Sequence, residues 1–113
     1  MNGAIYTTVG DLARFVSFLM GQGPESVLKT ASLDRFQMQS AVPADIGLTS
    51  GYGIGFQVDR RDNYVAFGHG GAVAGYTAAL YINRPKGIGA IAFSNGAANP
   101  DSIALRALDM LSK

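Results

Sequence analysis

Two runs near the end of the chain, Tyr76–Asn83 and Ile88–Ser94, are apolar on both phases of a period-two alternation. Leu80 and Ile82 alternate with Ala79 and Tyr81 in the first; Ile88 and Ala90 alternate with Ile91 and Phe93 in the second. Only Arg84-Pro85-Lys86-Gly87 lies between them, too short for a crossover, so the two strands must run antiparallel. A hairpin with two apolar faces has to be covered on both of them. The rest of the sequence must therefore supply layers, or leave apolar surface bare.

The flanking segments have the patterns of such layers. Thr8 is a good N-cap with Asp11 three residues on, and Val9, Leu12, Ala13, Val16, Leu19 and Met20 follow at helical spacing, widened by Phe15 and Phe18. Gly21 and Gly23-Pro24 stop that helix. A shorter helix is predicted over 31–38, capped by Thr30, with Leu33 and Phe36 inward. Residues 39–51 read as a loop. From Tyr52 the period becomes two: Tyr52, Ile54, Phe56 and Val58 alternate with Gly53, Gly55 and Gln57, and the glycines permit close approach by another element. Residues 59–63 form a polar turn and 64–69 a second strand. After the double-faced hairpin, Asn99 caps a last helix with Pro100 in its first position and Asp101 at the positive end of its dipole. Ile103, Ala104, Ala107, Leu108 and Leu111 are its apolar face. The expected fold is α+β: an antiparallel meander of about four strands with N-terminal helices and a C-terminal helix packed on it.

Composition narrows the function. Nine basic and eight acidic residues leave a net charge of +1 and no basic stripe, so nothing in the chain calls for nucleic acid. There is no cysteine and one histidine, which removes thiolate metal sites and the usual multi-imidazole zinc site. No apolar run reaches the roughly 20 residues that span a bilayer. Charged residues are 15% and apolar residues 48%, an unusual balance that points to more apolar surface than the chain covers by itself.

The single histidine sits in Phe67-Gly68-His69-Gly70-Gly71-Ala72-Val73-Ala74-Gly75-Tyr76. Gly70 and Gly71 take side chains away where a ligand would meet main-chain N–H groups. The same glycines would also serve a tight turn between strands, and an isolated histidine is often satisfied by a neighbour. Other patterns lack context. Ser26-Val27-Leu28-Lys29 has the Ser-x-x-Lys spacing, but that chemistry needs serine at a helix N-terminus with lysine one turn on, and these residues fall in a linker after Gly-Pro-Glu. Tyr81-Ile82-Asn83 mimics Tyr-x-Asn from within a buried strand. His-Gly-Gly as a lipase oxyanion loop would want a Gly-x-Ser-x-Gly elbow downstream, and none exists.

Taken in order, Tyr6-Thr7-Thr8-x-x-Asp11-Leu12-Ala13-Arg14-Phe15, the segment from Val27-Leu28 to Met38, Tyr52-Gly53-Ile54-Gly55-Phe56, Gly68-His69-Gly70-Gly71 with Gly75-Tyr76, the strand over 88–95 and the closing helix resemble the C-terminal part of the serine β-lactamase and D-alanyl-D-alanine peptidase superfamily. The resemblance is strongest to the class C β-lactamase and esterase-like branch. It implies a partial β-lactamase-like fold, with 1–40 from the helical subdomain and 52–113 the sheet and C-terminal helix of the α/β subdomain. It makes His69-Gly70-Gly71 the third family motif, with His69 catalytic, Gly70 and Gly71 substrate-binding, and the Ala72 N–H an oxyanion donor. Histidine replaces the motif's lysine and glycine its hydroxyl residue, which shifts expectation toward esters or amides without a carboxylate. The first two motifs belong upstream. The whole would be a serine hydrolase forming an acyl-enzyme on a small ester, amide or β-lactam, without cofactor, and the isolated chain is expected to be inert. An open sheet edge would favour homo-oligomers, and family habit places such proteins in the periplasm or outside the cell. The competing expectations are a non-catalytic self-associating or binding module built from the same fold, and a generic α+β domain whose histidine only packs.

Overall fold

A computed structural model describes residues 3, 5–39, 42–43, 46–47 and 49–113. Six strands form one antiparallel sheet in sequence order: β1 (Val42–Pro43), β2 (Ser50–Tyr52), β3 (Gln57–Arg60), β4 (Val65–Val73), β5 (Tyr76–Asn83) and β6 (Ile88–Ser94). Three helices, α1 (Val9–Ser17), α2 (Thr30–Asp34) and α3 (Pro100–Leu111), flank it. The α+β meander expected from the sequence is present. β5 and β6 have the expected bounds, β4 runs four residues further than expected, and β3 keeps only the end of the strand expected from Tyr52 and takes in two residues of the turn expected over 59–63, while the short β1 and β2 occupy part of the stretch read as a loop; Ser40, Ala41, Ala44, Asp45 and Leu48 of that stretch lie outside the described residues.

The helix ends follow local chemistry. The Thr8 hydroxyl accepts from the Asp11 N–H at 3.1 Å and donates to the Asp11 carboxylate at 3.0 Å. α1 runs on into a single wider turn over Phe18–Gln22, which Gly21 ends at φ +84°. α2 begins one residue earlier than expected, with Lys29 as its N-cap and Thr30 inside the helix. Asn99 caps α3 by accepting from the Ser102 N–H at 3.3 Å.

Both faces of the central hairpin are covered, as its double alternation requires. On one face Val16, Leu19 and Leu33 meet Val58, Phe67 and Ile82. On the other Ala104 and Leu108 of α3 meet Ala66, Ala79 and Tyr81. Each large apolar side chain so buried contributes about 1.5–3 kcal/mol. The outer parts of both helix stripes stay bare: Val9 is 55% exposed, Ile103 55% and Leu111 59%. That exposure corrects the expectation that Ile103 and Leu111 belong to the buried face of the last helix. The end of α3 is latched to the sheet. Buried Asn83 donates to the Ser112 hydroxyl at 2.8 Å, and the Ser112 carbonyl accepts from Lys86 Nζ at 2.8 Å and from Asn63 Nδ2 at 3.1 Å.

The strand expected from Tyr52 to Val58 is broken. Tyr52 ends β2, Gln57 opens β3, and the residues between them make a tight turn closed by the Gly53 N–H donating to the Phe56 carbonyl at 2.7 Å. The glycines explain the difference. Gly55 has φ +76°, which side chains resist, and a Cβ on Gly53 would lie 2.5 Å from the Phe36 carbonyl. The Ile54 N–H donates to that same carbonyl at 3.1 Å, pinning the turn to the helical segment after α2.

Candidate active site

His69 stands inside β4, one residue past the last pair that β4 makes with β3, Gln57↔Gly68. From His69 to Val73 the strand pairs with β5 alone among the described strands, so one edge of its backbone is open. The glycines after His69 are not a turn. They extend β4, and the turn comes later at Ala74 and Gly75, with φ of +48° and +84°, between Val73 and its partner Tyr76. Two residues at positive φ are what a two-residue hairpin loop needs.

The imidazole is exposed and held at both ring nitrogens. Nδ1 contacts the Gly70 carbonyl, and Nε2 lies 2.7 Å from the Tyr52 hydroxyl. A carbonyl only accepts, so Nδ1 carries the proton; a ring with that one proton accepts at Nε2 from the tyrosine O–H. The two rings meet edge to face, 5.8 Å between centroids and 86° between planes. The Tyr52 contact was missed in reading the sequence. Its signal was the tyrosine directly before Gly53-Ile54-Gly55, read as the first residue of an alternating strand when it is the last residue before a turn.

The three glycines of Gly68-His69-Gly70-Gly71 have different reasons to be there. A Cβ on Gly68 would come within 2.0 Å of the Leu80 carbonyl and 2.5 Å of the Tyr81 ring, so that glycine serves cross-strand packing. A Cβ on Gly70 would meet the Asp101 carboxylate at 2.3 Å, so Gly70 makes room for the first turn of α3. A Cβ on Gly71 would meet nothing within 4 Å. Gly71 is the position where missing side-chain bulk leaves open space.

Gly70, Gly71 and Ala72 line a concavity of about 350 Å³ together with Thr77, Asn99 and Asp101. It lies on the α3 side of the hairpin. Alternation along β4 puts His69 on the opposite face, the one that Phe67 turns to Val16 and Leu33. The sequence-assigned residues therefore straddle the open edge of one strand, with the imidazole on one side and the concavity on the other. Among the described residues Asp101 is the one charged residue lining the concavity. Its Oδ1 accepts from the Tyr81 hydroxyl at 2.7 Å, and that hydroxyl is also 2.5 Å from Gln57 Oε1. Burial, and then the Asp101 carboxylate, push the Tyr81 phenol far above its ordinary range, so it stays protonated. Tyr81 is a buried proton donor inside the core and not a base, as its strand position suggested. Ser26 is exposed in the turn after Pro24, ahead of α2, so Ser26 and Lys29 do not stand one helical turn apart at a helix start.

Among the described residues no three His, Cys, Asp or Glu side chains come together in a group that could hold a metal ion, and no helix is long and apolar enough to cross a membrane.

A family model described as Beta-lactamase matches residues 1–112. No curated protein matches the chain. Among solved structures, the chain is similar to an octameric penicillin-binding protein homologue from Pyrococcus abyssi, with 27% identity and a TM-score of 0.80 over 94% of this chain and 24% of that one. It also shares its fold with part of a D-stereospecific amidohydrolase from Streptomyces sp., at 20% identity and a TM-score of 0.64 over 88% of this chain and 28% of that one. The chain spans about a quarter of the length of these solved proteins.

Proposed function

The chain belongs to the Beta-lactamase family, and from that premise we propose that it forms one wall of a serine hydrolase's cleft, with the attacking serine supplied by sequence outside these 113 residues. Residues 1–40 belong on this reading to the helical subdomain and 52–113 to the α/β subdomain. The observation that carries the reading is the open edge of β4 at His69–Ala72, with an exposed imidazole on it and bare space around Gly71. A substrate acyl group laid along that edge meets main-chain N–H groups, and the Ala72 N–H acts as one oxyanion donor; losing such a donor typically costs on the order of 10²–10³ in rate. His69 shapes the field around the nucleophile and serves there as a proton donor or acceptor. Gly70 and Gly71 offer no hydroxyl to a substrate carboxylate, and the one charge among the described residues at the concavity is the Asp101 carboxylate. Both features favour a small ester or amide over a carboxylate-bearing β-lactam.

The test is turnover of a chromogenic ester and a chromogenic β-lactam by the isolated chain. No turnover above background is the expected result. Turnover that Ser26→Ala abolishes overturns the reading.

Self-association is a second part of the proposal. β6 has a described neighbour on one side only, and Val73 (52% exposed), Tyr76 (68%) and Phe93 (42%) display apolar surface around the hairpin. Such an edge beside apolar surface invites pairing with another copy. The similar protein from Pyrococcus abyssi is described as octameric.

A further inference from the structure

We infer that Tyr52 is the positioning residue of His69: its hydroxyl covers Nε2 and holds the imidazole in the Nδ1–H form at the open edge of β4. The inference rests on the hydrolase reading for its purpose, but its geometry does not. Tyr52 Oη is 2.7 Å from Nε2, while the Gly70 carbonyl takes the other ring nitrogen. Nothing else described holds this exposed ring, because β3 begins at Gln57, opposite Gly68, and gives His69 no cross-strand neighbour on that side.

The placement of Tyr52 is built rather than incidental. It is the last residue of β2, and the next residue enters the turn that the Phe36 carbonyl fixes through the Ile54 N–H. Gly53 is bare because the same carbonyl approaches it, and Gly55 takes the positive φ that closes the turn. The motif Tyr52-Gly53-Ile54-Gly55-Phe56 thus delivers a phenol to the edge of the site. The chemistry follows. With Nδ1–H committed to a carbonyl, Nε2 is the only proton-accepting atom of the ring, and the phenol O–H stands on it. A proton reaching the imidazole from outside arrives at Tyr52 Oη as that oxygen gives its own proton to Nε2. The phenol ends neutral, and the imidazolium formed donates from both nitrogens, to the Gly70 carbonyl and to the Tyr52 oxygen.

One histidine in the chain makes the test clean. Imidazole ¹⁵N spectra of the wild-type chain should show a protonated Nδ1 and an unprotonated, hydrogen-bonded Nε2. Tyr52→Phe keeps the ring and its edge contact but removes the donor. In that variant the Nε2 signal should shift as its donor is lost. Carbethoxylation by diethylpyrocarbonate should proceed about fivefold faster, the factor that one typical net hydrogen bond represents. A wild-type ring in the Nε2–H form overturns the inference whether or not the variant folds. Equal carbethoxylation rates in folded wild type and variant overturn it as well. Neither readout depends on hydrolysis, so failure of the hydrolase reading leaves a different trace: a fixed Nδ1–H ring in a protein whose site hydrolyses nothing.

Discussion

Asp109→Asn should loosen the tie between the end of α3 and the β3–β4 turn. Asp109 Oδ1 accepts from Arg61 Nε at 3.0 Å and from the Tyr64 hydroxyl at 2.8 Å, and Oδ2 accepts from Arg61 Nη2 at 2.5 Å. A two-pronged, charge-assisted pair of this kind is worth about 1.5–3 kcal/mol when shielded from water. Here the Arg61 and Asp109 side chains are 32% and 38% exposed, and solvent screening brings the pair down to about 1 kcal/mol. Asparagine keeps the shape and one acceptor but not the charge. At neutral pH the variant should melt about 4–8 °C lower. The gap should also depend on pH, because hydrogen bonds from Arg61 and then Tyr64 hold the Asp109 carboxyl below its ordinary range, outweighing burial. A carboxyl with a folded pKa below its unfolded one contributes stability that is present above the unfolded value, about 3.9. That contribution is lost as pH falls through the folded value. The melting gap should therefore be full at pH 7 and narrow as pH falls below the unfolded value of about 3.9. At the other end, burial and the Asp109 hydrogen bond push the Tyr64 phenol up to about 12. Its contribution is whole below the unfolded value of about 10 and disappears as pH rises through the folded one. Thermal melts by circular dichroism from pH 2.5 to 8 provide the measurement. An unchanged melting temperature at pH 7, or an equal gap at pH 3 and pH 7, would refute the reasoning.

Two further outcomes separate the structural glycines from the open one and test assembly. Gly68→Ala should prevent folding, since its Cβ would collide with the Leu80 carbonyl, whereas Gly71→Ala, with empty space around it, should melt within about 2–4 °C of wild type; denaturation curves decide. Light scattering at high concentration should find oligomers, and a monodisperse monomer would count against the open edge as a pairing surface.

Much of the architecture was legible because the patterns were local and redundant. Leu80 and Ile82 against Ala79 and Tyr81 forced a two-sided sheet, and both covering layers are present. Thr8 with Asp11, and Asn99 with Pro100, marked helix starts that hydrogen bonds realise. Gly53 and Gly55 misled, because period-two spacing and a glycine turn look alike in a string. The approach of the Phe36 carbonyl, which decides between them, is a tertiary contact. Gly70 was given to a ligand on the sequence, and its bareness also answers to Asp101, thirty-one positions later in the chain. The Tyr52–His69 bond was hidden for the same reason: it joins two strands across a third.

The central claim is that His69 and the adjoining backbone serve a serine lying elsewhere. Its most direct test is the site of covalent labelling by a serine-directed fluorophosphonate, read by mass spectrometry, in a form of the protein that carries a Ser-x-x-Lys segment upstream. The account expects the adduct on that upstream serine, formed about 10²-fold more slowly after His69→Ala, within the range of a lost general acid or base. An adduct on Ser26 or any other serine of these 113 residues, or a rate indifferent to His69→Ala, would contradict it.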